Sequence, residues 1–337
     1  MKRVTIKDLS KFLSLSTSTI SRALLNDKNI HPETQKRVLQ AAERLGYKPN
    51  STALNLKYGK SKNIGLVVPE MITPFSSKVL RGIQNILDPL GYRVIITQSD
   101  ENPLIERKNL KLLEEFNVDG IIINLCHESF NEEVYRELIN HELPMVFFDR
   151  IPGKSLNVSK VIVDDQIKAS LVVEHLINTG RKRIAHIMGP LTIRNVTERA
   201  NGYKRILEKY DISDPDLIIQ TDGMTFEHGR RAVQELLNKK IPFDSIFAFS
   251  DTLAIGAMNY LHEQHIKIPQ EVAIASFSGT ELATIVHPQL TTVQQPLEKM
   301  GETAAQLVVE KINNKLSPEQ TIVMDTELIY RASTLSE

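Results

Sequence analysis

The sequence predicts two parts of different fold class: an all-α headpiece containing a helix-turn-helix, followed by an α/β domain of two parallel-sheet lobes. Its 337 residues are enough for about two domains or more, each with its own hydrophobic core. Apolar residues recur at helical spacing over the first sixty residues, whereas short apolar runs alternate with amphipathic helices from Asn63 onward. The change of pattern marks the change of fold class.

A capping box and an apolar stripe predict the first helix. Thr5 precedes Asp8 by three residues, the spacing at which each side chain accepts a hydrogen bond from the other's backbone amide. The apolar residues on one face of this helix are Ile6, Leu9, Phe12 and Leu13.

A three-residue break, Ser14 to Ser16, separates this helix from a second one, which Ser16 caps. The second helix buries Ile20, Ala23 and Leu24, and two short helices joined in this way predict a helix-turn-helix. The exposed residues at its start are Thr17, Ser18 and, one turn on, Arg22. Hydroxyl groups can bond base edges in the major groove, and a guanidinium can bind guanine O6 and N7 together.

The third helix begins at Pro32 and stops at Gly46, residues favoured at those two positions. Its inner face consists of Val38, Ala41, Ala42 and Leu45. On spacing alone, a three-helix surface bundle with an incidental positive face is the alternative to a DNA-binding unit.

Charge distinguishes the two parts of the chain. Residues 1–60 carry 12 Lys and Arg against 4 Asp and Glu, whereas the whole chain has 41 of each sign. A basic segment on a neutral chain indicates a polyanionic partner, because phosphate contacts release counterions from DNA.

The second part contains two sets of apolar strands separated by amphipathic helices. The predicted buried strands are 64–68, 93–96, 120–123 and 145–148 in the first set and 183–188, 245–248 and 272–275 in the second. A weak repeat, 81–87 against 201–207, also indicates two similar lobes. Ligands of such sheets bind beyond the carboxyl ends of the strands, so two facing lobes predict a ligand-binding cleft.

A long, gap-free resemblance to a known family lies in the headpiece and is carried by residues 4–10, 16–24, 33–34 and 37–50. These segments closely resemble the DNA-binding headpiece of the lactose-repressor (LacI/GalR) family. The resemblance implies a headpiece over 1–48 and a hinge over 49–61, in which Leu56 wedges into the minor groove beside Ala53; otherwise Leu56 is an ordinary linker residue. The DNA contacts that it implies are Thr5, Ser16, Thr17, Ser18, Ser21, Arg22, Thr34, Tyr47, Asn50, Ala53 and Leu56.

Residues 62–333 resemble the periplasmic-binding-protein-like effector domain of the same family. The markers are 149–150, 164–166, 189–190, Arg199, 202–203, 249–251, 254–257, 288–293 and 300–301. The resemblance implies a first lobe over about 62–161 and 293–322, and a second over about 162–292 and 323–333. It places the effector among Phe75, Ser77, Asn124, Asp149, Arg150, Asp165, Asn195, Arg199, Ser250, Asp251, Ser278 and Gln295.

Three of these residues bear on effector chemistry. The Arg199 guanidinium can bind sugar hydroxyls, a carboxylate or a phosphate, the alternative being a surface ion pair with Glu198 or Glu208. Phe75 can stack on a ring or pack within its lobe. Ser278 stands where many sugar-responsive relatives have an aspartate, so a relative's sugar specificity does not transfer directly.

The sequence lacks the motifs that other classes of function require. Gly59-Lys60-Ser61 lacks the preceding glycine of a phosphate loop, and His262 and His265 are three residues apart instead of the four of a zinc protease. Neither Gly-x-Gly-x-x-Gly nor Gly-x-Ser-x-Gly occurs. An enzyme carrying a basic arm would need such a constellation, and an exported solute-binding protein would need a signal segment and no headpiece.

These observations predict a cytoplasmic transcriptional repressor rather than an enzyme, with no cofactor, no metal and no membrane span. The single cysteine, Cys126, excludes an internal disulfide. The expected partners are a pseudo-palindromic double-stranded operator, a second copy of the chain in a homodimer, and a small effector, a carbohydrate or derivative by resemblance.

Overall fold

The computed structural model describes residues 4–47 and 60–335, and the chain divides into two compact units, Met1–Ser61 and Lys62–Glu337. The described residues of the first unit contain helices α1 (Ile6–Leu13), α2 (Thr17–Leu24) and α3 (Pro32–Arg44). All three lie where the sequence predicts them.

Local signals at the helix ends explain this agreement. Asp8 donates its backbone N–H to the Thr5 hydroxyl at 3.3 Å, and the Asp8 carboxylate accepts the Thr5 N–H at 2.8 Å. Ser16 caps α2 by accepting the Thr19 N–H at 3.1 Å. Between the two helices Ser14 adopts the left-handed conformation, with φ +52°, which glycine adopts at lower cost.

The headpiece core consists of apolar residues from all three helices: Leu9, Ile20, Ala23, Val38, Ala41 and Ala42. The prediction that Phe12 lies on the buried face is wrong, because its side chain is 51% exposed. A bundle this small covers only the centre of the α1 apolar face, on which Leu9 lies. The Phe12 ring instead lies 5.9 Å from the Arg44 guanidinium, a cation–π distance.

Strands and helices alternate along the second unit. Its described strands are β1 (Asn63–Val68), β2 (Arg93–Gln98), β3 (Gly120–Ile123), β4 (Met145–Phe148), β5 (Ser159–Val163), β6 (Ile184–Met188), β7 (Ile218–Gln220), β8 (Ser245–Ala248), β9 (Ala273–Ser278), β10 (Thr291–Gln294), β11 (Thr321–Met324) and β12 (Glu327–Ile329). Its α-helices are α4 (Pro74–Leu87), α5 (Pro103–Glu115), α6 (Glu132–Asn140), α7 (Asp165–Asn178), α8 (Arg194–Lys209), α9 (Phe226–Asn238), α10 (Asp251–Glu263), α11 (Leu282–Ile285) and α12 (Leu297–Asn313). Two 3₁₀ turns, Asp88–Leu90 and Pro215–Leu217, complete the described elements.

The strands form two six-stranded sheets, one per lobe. The first has the order β11-β5-β4-β3-β1-β2 and is parallel throughout, and the second has the order β12-β10-β9-β8-β6-β7 with only β12 antiparallel. This confirms the predicted architecture of two parallel-dominated lobes. The chain passes between the sheets after Val163, Gln294 and Met324, two residues beyond the expected lobe boundaries.

One predicted strand differs in its environment. The apolar run 93–96 predicts a buried strand, but β2 lies at the edge of the first sheet, where Ile96 is 41% exposed. Strand β5 was not predicted, because it mixes Ser and Lys with valines, and β10, β11 and β12 were not predicted because they have only three or four residues each. In the described residues no helix combines the length and apolar character needed to cross a bilayer.

The weak repeat corresponds to equivalent helix crossings in the two lobes. Gly82 on α4 packs so closely against α12 that an added Cβ would collide with the Glu298 carbonyl. Gly202 on α8 packs in the same way against the Gln166 carbonyl in the first turn of α7. The repeat therefore marks one close helix crossing in each lobe.

Candidate functional site

In the first unit, the start of α2 is a candidate nucleic-acid interface. Thr17, Ser18 and Arg22 are exposed, whereas Ile20 and Ala23 on the opposite side are buried. The Arg22 Nε lies 3.5 Å from the Ser18 carbonyl oxygen, so the side chain follows the helix surface. Within the described residues its guanidinium forms no ion pair.

The Ser16 hydroxyl is occupied by contacts within α2. It accepts the Thr19 N–H and lies 2.8 Å from the hydroxyl groups of both Ser18 and Thr19. These contacts order the N-terminus of α2, where backbone N–H groups point outward and favour a phosphate.

The remaining predicted DNA contacts divide into two sets. Thr5 is exposed, while Ser21, Thr34 and Tyr47 are half-buried. Asn50, Ala53 and Leu56 lie outside the described residues, so the hinge hypothesis stays a prediction.

In the second unit, the predicted effector residues follow the carboxyl ends of strands from both sheets. The residues after β3, β4, β5 and β8 are Asn124, Asp149 with Arg150, Asp165, and Ser250 with Asp251. Asn195 and Arg199 lie on α8, which follows β6, while Ser278 ends β9 and Gln295 follows β10. Facing sheets bring such positions to one cleft.

Asp149 connects the two lobes. Its carboxylate oxygens accept one amide N–H each, from Asn124 of the first lobe at 3.5 Å and from Asn195 of the second at 3.4 Å. Burial raises the pKa of Asp149 against the opposing effect of Arg199 and Arg150. Asp149 has φ +56°, a conformation that turns its side chain out of the strand direction at some conformational cost.

Arg199 is almost completely enclosed, with 2% of its surface exposed. Its Nε donates to the Asp165 carboxylate at 2.7 Å, and its Nη1 donates to the Phe249 carbonyl at 2.7 Å. The guanidinium carbon lies 3.7 Å from the Phe277 ring centroid and 4.2 Å from that of Phe249. The alternative of a surface pair with Glu198 or Glu208 is therefore wrong.

Asp165 is buried with Arg199. The pKa of Asp165 is raised to about 6, because burial, together with the nearby charge of Asp149, outweighs the opposing effect of Arg199. For this carboxyl the cost of leaving water exceeds the attraction of the arginine, as is common for buried pairs.

Arg150 lies at the edge of the cleft. Its Nη1 and Nη2 donate to the two Glu101 carboxylate oxygens at 2.8 and 3.0 Å. Nη2 also lies 3.6 Å from the Met224 sulfur in the second lobe. The bidentate pair fixes the guanidinium plane, and the sulfur contact adds a second connection between the lobes.

Asp251 and Ser250 support the backbone of the second lobe. The Asp251 carboxylate accepts hydrogen bonds from the hydroxyls of Ser276, Thr280 and Thr292 and from the Thr280 N–H, all at 2.7–2.8 Å. Ser250 caps α10 by accepting the Leu253 N–H at 3.3 Å. Both are bonded within the lobe and position the cleft wall.

Phe75, Ser77, Ser278 and Gln295 occupy different environments. Phe75 is half-buried and packs on the hydrophobic core, which favours the packing alternative. Ser77 is exposed, and its hydroxyl donates to the Pro74 carbonyl at 3.1 Å. Ser278 is half-buried, whereas Gln295 is buried and has no partner for its Oε1 among the described residues.

Contacts across the cleft hold the lobes close to each other. Lys78 of α4 pairs with Glu281 of the second lobe at 3.1 Å. The Glu128 N–H donates to the Thr192 carbonyl at 2.8 Å. Both contacts connect the first lobe to the second.

Sequence reasoning missed Glu101, Phe249, Phe277 and Met224 as residues of the cleft wall. Glu101 lies three residues after the end of β2. The rule that ligands bind beyond the carboxyl ends of strands therefore identifies it as a candidate cleft residue. The stacking of Arg199 between two aromatic rings has no local sequence signal, because Phe277 lies 78 residues away.

Comparisons with known proteins agree with both units. The family model described as bacterial regulatory proteins, lacI family, matches residues 5–50, and a periplasmic binding protein-like domain matches residues 173–334. The chain is 31% identical to the ribose operon repressor of Halalkalibacterium halodurans over 330 residues, 98% of this chain and 97% of that protein.

Two solved structures are similar over nearly the full length. The complex of the transcriptional regulator CelR with cellobiose has a TM-score of 0.75 and 26% identity, covering 98% of this chain and 100% of that one. The lac repressor dimer bound to operator and the anti-inducer ONPF has a TM-score of 0.88 at 22% identity, covering 99% and 100%, and supports the fold alone. Together with the headpiece geometry, the full-length relative shows that this chain belongs to the lacI family of bacterial regulatory proteins.

Proposed function

We propose that this chain is a sequence-specific transcriptional repressor whose operator affinity is controlled by a small molecule, a carbohydrate or derivative, bound between the lobes. The observation that carries the proposal is the combination of an exposed recognition helix start with a cleft that both lobes build. The names of the ribose operon repressor and of the cellobiose-bound regulator support it.

We assign recognition of the operator sequence to α2. Arg22 has the geometry to bind guanine O6 and N7, while Thr17 and Ser18 offer hydroxyls at the helix start. The basic charge of residues 1–60 supplies phosphate contacts, which strengthen binding without reading sequence. Leu56 and Ala53 are the proposed minor-groove wedge and its neighbour.

We assign effector control to a clasp between the lobes, formed by Asp149 with its two hydrogen-bond partners, Asn124 of the first lobe and Asn195 of the second. A ligand that bonds Asn124 and Asn195 together favours one lobe arrangement over others, and only such differential binding can shift operator affinity. The predicted effector residues are proposed to act around this clasp, with Asp251 and Ser250 holding the wall.

A homodimer on a two-fold operator is the proposed assembly. Ile285 on α11 is 74% exposed and Phe226 on α9 is 45% exposed, and both helices pack on α10. The proposal is that these two side chains belong to one apolar patch, which a partner subunit would bury. The proposed setting is the cytoplasm, and no catalytic role is proposed.

Selection of operators from a random duplex library by the full-length protein tests the proposal. We expect enrichment of a two-fold symmetric sequence, loss of its preference in Arg22→Ala, and retention in Arg136→Ala, which removes the same charge from a half-exposed side chain of α6. Failure to enrich any sequence would refute the proposed function.

A further inference from the structure

An anionic ligand in the cleft would need Arg199 as its cationic partner. The charge of Arg199 is already neutralised within the chain by Asp165. Two of its three guanidinium nitrogens donate within the chain, to the Asp165 carboxylate and the Phe249 carbonyl at 2.7 Å each. Phe249 and Phe277 cover its plane. A phosphate or carboxylate would have to displace Asp165 or bind beside it.

The charges near Arg199 do not favour an anion either. Arg150 is bonded through both Nη atoms to Glu101, and Asp149 lies between the two arginines with no cation of its own in hydrogen-bond contact. Two arginines thus face three carboxylates: Asp149, Asp165 and Glu101. A further negative charge in this buried region meets repulsion that water screens poorly.

The unsatisfied atoms of the cleft are acceptors. Asn124 Oδ1, Asn195 Oδ1 and Gln295 Oε1 are buried and have no hydrogen-bond partner among the described residues, and the three side chains are 4–5% exposed. Because both asparagines turn their N–H groups toward Asp149, their oxygens face away from it. Buried oxygens of this kind need donors, which hydroxyl groups supply and ionised phosphate or carboxylate groups do not.

We propose that the effector is an uncharged molecule with several hydroxyl groups, and that the Asp165–Arg199 pair makes the cleft discriminate against phosphorylated or acidic forms of it. This inference rests on the proposed function and deepens it, because it assigns the charge class of the ligand. Asp165 acts here as a specificity-determining residue, because its carboxylate pairs with the Arg199 guanidinium that an anion would otherwise bind.

Matched ligand pairs test the inference on the full-length protein. The panel consists of ribose and ribose 5-phosphate, glucose with glucose 6-phosphate, gluconate and glucosamine, cellobiose and cellobionate, and adenosine and its monophosphate. Thermal shift ranks the panel and calorimetry gives the dissociation constants. We expect a neutral member to bind, with its anionic counterparts at least about tenfold weaker, whereas the ammonium group of glucosamine meets no such repulsion.

The variant Asp165→Asn tests the assigned cause. Freeing the Arg199 guanidinium should improve anion binding relative to the neutral partner by about fivefold or more. Asp325→Asn is the matched control, since it removes the same charge from a carboxylate that is 96% exposed and pairs with Lys168. In this control the ratio of anion affinity to neutral-ligand affinity should equal that of wild type. If Asp165→Asn lacks a cooperative melting transition, Asp165→Ser takes its place, with the same change in the ratio expected.

Two results would overturn the inference: an anionic member binding as tightly as its neutral partner, or a panel in which no neutral member binds. An unchanged ratio in a folded Asp165→Asn protein would remove the specificity role of Asp165. Operator binding without ligand is measured separately, so that failure of the proposed repressor function shows in that assay alone.

Discussion

Replacing Arg199 by methionine should destabilise the second unit strongly, because the substitution leaves Asp165 buried without its cation. The pair is 2.7 Å long, and the two side chains are 3% and 10% exposed. Removing one partner of such a pair costs about 3–5 kcal/mol. The loss of the Phe249 carbonyl bond adds to this effect, whereas methionine retains most of the packing between the two rings.

The double variant Arg199→Met with Asp165→Asn separates charge from packing. With both charges gone, we expect stability to return to within about 2 kcal/mol of wild type, since an apolar replacement of a buried pair is often neutral. Urea unfolding followed by far-UV circular dichroism is suitable, because the chain contains no tryptophan. The reasoning is refuted if the single variant loses less than about 1 kcal/mol, or if the double variant is no more stable than the single.

Three further outcomes are expected. Because burial raises the pKa of Asp165 from 3.8 to about 6, protonation favours the folded chain, and the wild type should lose about 2 kcal/mol relative to Asp165→Asn as the pH rises from 4 to 7; parallel unfolding curves over that range would contradict this. Leu56→Ala should reduce operator bending, measured by fluorescence transfer between labelled operator ends, with dimerisation unchanged; an unchanged bend would exclude the wedge. Ile285→Asp should raise the dimer dissociation constant at least about tenfold in sedimentation, and a dimer as tight as wild type would place the interface elsewhere.

Local signals in the sequence were sufficient to predict the three helices of the headpiece. The Thr5 and Ser16 caps, the break at Ser14 and the Pro32 start each act within a few residues, and the structure shows all of them. Phe12 was mispredicted because helical spacing identifies an apolar face, whereas the size of the neighbouring helices decides how much of it is covered.

The cleft was only partly predictable. The carboxyl ends of strands locate Asn124, Asp149 and Asp165, since that rule follows from parallel sheets. Their partners come from long-range packing: Arg199 meets Phe277 and Asp165 only after the second lobe has folded. Sequence spacing therefore identifies the residue types of the cleft, but not whether Arg199 is free to bind an anion.

The most direct test of the account is a titration of full-length protein on its selected operator, by fluorescence anisotropy, with and without the effector found in the ligand panel. A coupling of about 1–3 kcal/mol predicts that saturating effector changes operator affinity by about 5- to 150-fold, and that operator changes effector affinity by the same factor. An operator affinity that is identical with and without bound effector would contradict the claim that the cleft controls DNA binding.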